Sequence, residues 1–550
     1  MKNAQNANKR IDHFGFTYKL LLGLALCVVA LSAAPTASAG DSSHPPIALT
    51  ESGVVIGSTT DGVNQFLGIP YAAPPVGSLR WRPPQHYGFF PGFILQATQF
   101  GSECTQAGGG SENCLFLNVF TPQGKSHDGW RHRDRRGLPV MFWIHGGGLI
   151  DGSSTAYNPE LLVSKEVIVV TINYRLGFLG FFAQSAIDAE GHLSGNYGLM
   201  DQQFALQWVR RNIANFGGDP DRVTIFGESA GGQSVYAHLA SPLASGLFRG
   251  AIAESGSYAE FQDYFFNVVT LAQAETTGSQ SVPSGAVIAD SVGCTSQTAS
   301  CLRAVPAATM VAKEPFPLYP FVDGKLLTQT IGAAFASGEF NHVPVIAGTN
   351  HDEYRLFVAL DFDLVGNPIL TSAEYATATT AVFGTLAPPV LALYPFAAYP
   401  VGGEALGASG TDGVFSCPAR NVDQALSRLV PTYAYEFNDE NAPPAQSLFG
   451  GLLTFPLGAY HSSELQYLFP GIDVFGLPTT LSSQQMELSD AMVSYWTQFA
   501  KEGDPNSSGE PLWSPYRAST DEFQSLIPPA PVVESNFDNS HKCSTFWDTF

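Results

Sequence analysis

Residues Val223 to Gly232, Val-Thr-Ile-Phe-Gly-Glu-Ser-Ala-Gly-Gly, constrain this chain more tightly than any other stretch. Three β-branched residues and a phenylalanine predict a short buried strand, and a G-x-S-x-G pentapeptide follows without a spacer. Gln233 to Ala240 then carry a helical pattern. A strand that turns this abruptly into a helix holds its serine at strained backbone angles and leaves no room for a Cβ at Gly227 or Gly231. Ser229 would stand above the sheet edge with the first amides of a helix aimed at it. A turn that merely links strand to helix can have the same local sequence. Chemistry therefore requires a base, an acid and oxyanion donors from elsewhere in the chain.

The rest of the chain predicts a sheet that can carry such a turn. Residues 140–144 and 167–172 are nearly continuous apolar runs, helix-period residues span 199–213, and 250–253 is a further short strand. Strands are also expected at 47–58, 63–69, 115–120, 343–347 and 432–437, with an amphipathic helix at 488–500. Apolar strands alternating with helices imply a mostly parallel α/β sheet covered on both faces. No internal repeat or long linker interrupts 40–550, which reads as one large domain with helical insertions at 258–335 and 358–430.

Oxyanion donors are expected at His145-Gly146-Gly147-Gly148, at the end of the 140–144 strand. Glycines there let backbone N–H groups turn toward a ligand, so Gly147, Gly148 and Ala230 are the predicted donors. A carboxylate at another strand end comes from Gly348-Thr349-Asn350-His351-Asp352-Glu353, which offers Asp352 or Glu353. The order serine, acid, histidine leaves His461 and His541. His541 lies in a polar tail, so His461, in the small-residue loop Gly458-Ala459-Tyr460-His461-Ser462-Ser463, is the expected base.

Charge and cysteine usage set the context. Asp+Glu 48 against Lys+Arg 26 gives a net charge of −22, a poor match to nucleic acid or an anionic membrane. Within this acidic chain the basic run Arg131-His132-Arg133-Asp134-Arg135-Arg136 reads as a solvated hairpin loop. Lys2, Lys9, Arg10 and Lys19 precede an apolar run from Leu20 to Ala34, and Ala37-Ser38-Ala39 forms a cleavage site. Residues 1–39 are thus expected to be a signal peptide, leaving a secreted or periplasmic protein without stable membrane insertion. Removing it takes Cys27 away and leaves an even set: Cys104, Cys114, Cys294, Cys301, Cys417 and Cys543. Six cysteines allow about 15 connectivities. Pairing Cys104–Cys114 and Cys294–Cys301 would close two small loops and leave Cys417–Cys543 to tie the tail back. No cysteine or histidine spacing suggests a metal, and no cofactor is expected.

Longer stretches strengthen the reading. They are FLGIPYAAPP (66–75), SENCLFLNV (111–119), WIHGGG (143–148), the block from Gly195 to Gly232, ESGS (254–257), 348–353 and WTQFAKEGDPN (496–506). From Ile47 to the C-terminus the chain resembles the type-B carboxylesterase family of α/β-hydrolases, which includes carboxylesterases, cholinesterases and several lipases. The resemblance implies an α/β-hydrolase fold and a Ser-Glu-His triad, which selects Glu353 over Asp352. It further implies that Ser255 supports the acid and that the three cysteine pairings are the family's disulfides. Two departures stand out: Tyr354 follows the acid where the family commonly has glycine, and the Cys104–Cys114 loop is much shorter than in cholinesterases. Choline esters are therefore not expected. The implied activity is serine-dependent hydrolysis of small or polymeric carboxylic esters through an acyl-enzyme. A lipase acting on longer chains, or a silent interaction module of the same fold, are the alternatives. Nothing in the sequence signals an oligomeric state.

Overall fold

The computed structural model describes residues 44–124, 137–257, 269–278, 282–443, 451–471 and 478–550. The expected signal segment 1–39, the basic run Arg131–Arg136 and part of the expected insertion at 258–335 lie outside the described residues.

Eleven strands form the central sheet. In chain order they are β1 (Ser58–Thr60), β2 (Val63–Pro70), β3 (Phe116–Pro122), β4 (Leu138–Ile144), β5 (Ile168–Ile172) and β6 (Gly218–Glu228). They continue as β7 (Gly250–Glu254), β8 (Val345–Asn350), β9 (Thr432–Phe437), β10 (Phe523–Leu526) and β11 (Val532–Glu534). Across the sheet the order is β11-β10-β9-β8-β7-β6-β4-β5-β3-β2-β1. Every pairing from β10 through to β5 is parallel, and the antiparallel pairings lie at the two margins. Residues 47–50, 53–56 and 94–96 form a separate small sheet.

Why the apolar runs are continuous is visible in the packing. Val140, Phe142 and Ile144 of β4 point into one core together with Val223 and Ile225 of β6. Their neighbours Met141, Trp143 and Phe226 point into a second core on the opposite face. Successive side chains alternate across a strand, so a strand covered on both faces has no polar position to spare. Helix α1 (Tyr197–Asn212) and helix α2 (Ala230–Ala240) pack on the first face. The expected mostly parallel α/β-hydrolase architecture is observed.

Two element boundaries differ from the sequence expectation for stated reasons. Strand β8 starts at Val345 and runs to Asn350, because Gly348, Thr349 and Asn350 pair with Tyr435, Glu436 and Phe437 of β9. A proline at 344 brings no N–H to the ladder. The carboxylate-bearing loop therefore begins deeper, and Glu353 opens helix α3 (Glu353–Val358) directly. Helix α4 covers the second face and spans Ser483–Glu502, longer than the periodic stretch. Ser482 and Gln485 make a capping box at its start and Gly503 (φ 76°) stops it. Helix α5 (Phe537–His541) follows the last strand of the sheet.

The apolar run Ser372–Leu393 is long enough to cross a bilayer by composition. Here it is interrupted at Gly384–Leu386, and Tyr375, Phe383 and Val390 are buried in a third core with Trp547. All three expected cysteine pairs are disulfides: Cys104–Cys114, Cys294–Cys301 and Cys417–Cys543, with Cα separations of 4.9, 5.7 and 5.2 Å.

Candidate active site

Ser229 adopts φ 56°, ψ −123° at the N-cap of α2. Few L-residues tolerate this region, which costs roughly 1–3 kcal/mol and persists only where the surroundings enforce it. The enforcement is visible. The Ser229 N–H donates to Glu254 O at 2.9 Å, fastening the turn to the end of β7. A Cβ on Gly231 would lie 2.0 Å from Ile144 O, and one on Gly227 would lie 2.6 Å from the same oxygen. Both glycines are required by the backbone of β4, as the sequence anticipates. The elbow also meets the glycine loop, since a Cβ at Gly146 would sit 3.1 Å from Ser229 Cβ.

The glycine loop turns at the end of β4 with Gly147 at φ 98° and Gly148 at φ 60°. Ile150 N and Asp151 N both donate to Gly147 O at 3.0 Å and close the turn. Phe316 occupies the volume a side chain at 148 would need, 2.4 Å from the position of that Cβ. Ala230 is the first residue of α2, where backbone N–H groups have no intrahelical acceptor. His145 stacks on Tyr174 at 4.4 Å and its Nδ1 lies 2.9 Å from Gly146 O. Burial lowers its pKa to about 4, so this ring is a neutral support for the loop.

His461 and Glu353 meet: His461 Nδ1 lies 2.5 Å from Glu353 Oε2. The other oxygen of Glu353 accepts from Thr349 Oγ1 at 2.8 Å and from Asn350 N at 2.7 Å. Asp352, which sequence reasoning alone left as an alternative, has a different task. Its Oδ2 accepts from Ala459 N at 3.0 Å, its own N–H donates to Ala459 O at 3.0 Å, and Arg355 lies 3.0 Å from Oδ1. Asp352 thus clamps the loop that carries His461, while Glu353 faces the ring. Ser255 is buried at φ 50°, but its hydroxyl has no hydrogen-bond partner among the described residues. The support expected from Ser255 comes from Thr349 and Asn350 instead. Tyr354 fits after the acid because Gly410 makes room, a Cβ there lying 2.2 Å from the tyrosine ring.

A second carboxylate reaches the imidazole, and no sequence spacing signals it. Glu228 Oε1 lies 3.2 Å from His461 Nε2 and accepts from Ser462 Oγ at 2.6 Å. Glu228 is the variable position of the pentapeptide, immediately before Ser229, so Nε2 is directed at the elbow. Burial opposes charge on His461, but Glu228 and Glu353 outweigh it and raise its pKa above the ordinary histidine value. Burial in turn raises the Glu228 carboxyl, against the pull of His461 and Ser462. Glu254, beside Glu228 on the neighbouring strand, is pushed up to about 8 by burial, and Trp496 Nε1 donates to it at 3.0 Å. Glu464, bonded to Asn350 and three residues past His461, is raised well above the carboxylate range by burial and by Glu228. Its helical spacing from His461 was the one available signal.

Aromatic rings wall the space around the imidazole. Phe357 and Phe415 lie 5.0 and 5.2 Å from the His461 ring and stack on each other at 5.7 Å. Tyr319 and Val414 pack with Phe415. Phe316, Tyr319, Val414 and Phe415 come from the segments 258–335 and 358–430, expected from the sequence as insertions.

Comparison with known proteins identifies the family. The sequence model of the carboxylesterase family matches residues 44–545. The chain is 35% identical over 523 residues to the para-nitrobenzyl esterase of Bacillus subtilis (strain 168), covering 90% of this chain and 97% of that protein. It is 35% identical over 507 residues to a mouse acylcarnitine hydrolase (85% of each chain) and 33% identical over 537 residues to a human cocaine esterase (89% of each). The solved structure of a PNB esterase superposes with a TM-score of 0.73 at 32% identity, over 91% of this chain and 99% of that one. The chain therefore belongs to the carboxylesterase family and is a carboxylic ester hydrolase.

Proposed function

We propose that ester hydrolysis here proceeds through an acyl-enzyme on Ser229. Ser229 Oγ attacks the ester carbonyl while His461 Nε2 takes its proton and then delivers it to the leaving alcohol. Glu353 holds the imidazole by Nδ1 and stabilises the charge that develops on it. Gly147, Gly148 and Ala230 donate N–H groups to the oxyanion. Water, deprotonated by the same histidine, then releases the acid. No cofactor takes part.

The observation that carries this reading is the 2.5 Å contact of His461 Nδ1 with Glu353, which turns Nε2 toward the residue preceding a serine at φ 56°. The aromatic wall of Phe316, Tyr319, Phe357 and Phe415 favours esters with an aromatic or apolar group beside the carbonyl. Three disulfides support an exported protein, and the Ala37-Ser38-Ala39 sequence supports cleavage after Ala39.

A fluorophosphonate probe should label wild-type protein at Ser229 and leave Ser229→Ala unlabelled, with turnover of a short-chain aryl ester lost. Retention of most turnover in Ser229→Ala would refute the assignment. Protein recovered outside the cytoplasm should begin at Gly40; one that still carries residues 1–39 would refute cleavage.

A further inference from the structure

On the far side of the Glu353 loop lies a cluster that ester hydrolysis does not use. His351, Glu436 and His541 bring one ligand atom each to within 4.8 Å of one another. His351 follows β8, Glu436 sits in β9 where it registers with Thr349, and His541 ends α5. Three segments far apart in sequence thus converge beside the loop that carries the acid.

His541 and Glu436 are buried, and His541 Nε2 lies 2.6 Å from Glu436 Oε1. The other ring nitrogen, Nδ1, lies 2.6 Å from Asp412 Oδ1. Asp412 is itself held by the Tyr394 hydroxyl at 2.5 Å and by Lys542 Nζ at 3.3 Å. Asn438 Nδ2 donates to the second oxygen of Glu436 at 3.0 Å. A protonated His541 bridging two carboxylates accounts for these contacts. It does not account for His351, a second imidazole whose ring centroid is 5.6 Å from that of His541. His351 Nδ1 makes no hydrogen bond among the described residues and stands 3.5 Å from Asp352 Oδ1.

We infer that His351, Glu436 and His541 form a binding site for a divalent transition-metal ion of the zinc type. Two imidazole nitrogens and one carboxylate oxygen suit zinc or cobalt(II), with water in a fourth position. Ligand atoms around such an ion stand about 3.3 Å apart, so closing from the observed spacing needs a shift of roughly an ångström. The His351 side chain, 37% exposed, provides the entry path. Asp412 on Nδ1 of His541 supplies the outer carboxylate that orients a metal-bound histidine. The ion replaces the proton on His541 Nε2, which leaves to solvent. The bound metal cross-links the acid loop, β9 and the C-terminal tail, next to the disulfide that Cys543 makes with Cys417.

The test uses tag-free, chelator-dialysed full-length protein in equilibrium dialysis against zinc, with cobalt(II) absorption as the reporter of geometry. Wild type should take up about one zinc per chain, give the visible bands of a four-coordinate cobalt site, and gain melting temperature with zinc. His351→Ala, a change at a partly exposed position, should weaken zinc binding by about tenfold or more and abolish the gain in melting temperature. Glu436→Gln should weaken binding likewise, with circular dichroism confirming that each variant is folded. Failure of wild type to bind zinc stoichiometrically would overturn the proposal and leave a protonated histidine staple. Undiminished binding by folded His351→Ala would overturn it too.

Discussion

Replacing Glu228 with glutamine isolates the charge beside the base. Glutamine keeps a carbonyl oxygen for the Ser462 hydroxyl, which now donates to Glu228 at 2.6 Å, so the loop geometry is preserved. What it removes is a negative charge 3.2 Å from His461 Nε2. A full unit charge at that distance favours the imidazolium by about 5 kcal/mol at an effective dielectric constant near 20. That is an upper bound, because burial lifts the Glu228 carboxyl and so disfavours its anion. A lower His461 pKa is the expected outcome, because one of the two carboxylates that raise it is gone. On the proposed mechanism catalysis needs neutral His461, whose pKa is raised in the folded protein. Activity is therefore present above that raised value and lost as pH falls through it. Losing the anion lowers the pKa and moves the acidic limb of kcat/KM to lower pH. The assay is aryl acetate hydrolysis between roughly pH 5 and 9, and the alkaline plateau should stay within about tenfold of wild type. A limb that stays in place, or moves upward, refutes the electrostatic reasoning. Ser462→Ala should move it the same way by less, since it removes only a hydrogen bond that favours the Glu228 anion.

Other consequences can be measured independently. Gly231→Ala forces a Cβ to within 2.0 Å of Ile144 O and should cost about 3 kcal/mol or more in urea unfolding. Gly88→Ala, with open space around it, should stay within about 0.5 kcal/mol. Glu254→Gln tests a carboxyl whose pKa is raised to about 8 by burial. Its stabilising contribution as the neutral acid is complete below the unfolded value near 4.5 and is lost as pH rises toward 8. The variant should therefore melt like wild type near pH 5 and a few degrees higher at pH 8–9; an equal gain at both would refute the assignment. Phe357→Ala removes the ring 5.0 Å from His461. It should lower kcat/KM for aryl esters by about three- to tenfold, chiefly through KM, and leave acetyl esters of small alcohols little changed.

What the sequence determined by itself is local. The elbow, the glycine loop and the alternating strands follow from short-range sterics and periodicity, which residues a few positions apart express in full. Gly227 and Gly231 were legible because a tight strand-to-helix turn admits no Cβ wherever it occurs. His461 followed from chain order, which left it with His541, and from the polar tail around His541. The choice of Glu353 needed the family resemblance, because Asp352 and Glu353 are neighbours and only their orientation distinguishes clamp from partner. That orientation was decided by tertiary structure: β8 runs on to Asn350 in register with β9, and α3 then turns Glu353 toward His461 and Asp352 toward Ala459. The same holds for Thr349 and Asn350 in place of Ser255, for Glu228 at Nε2, and for the His351, Glu436 and His541 cluster, where the sequence suggested no metal. Side chains 85 and 105 residues apart meet only because parallel register and a disulfide-tied tail deliver them to the C-terminal ends of two neighbouring strands. Sequence spacing carries no trace of that meeting.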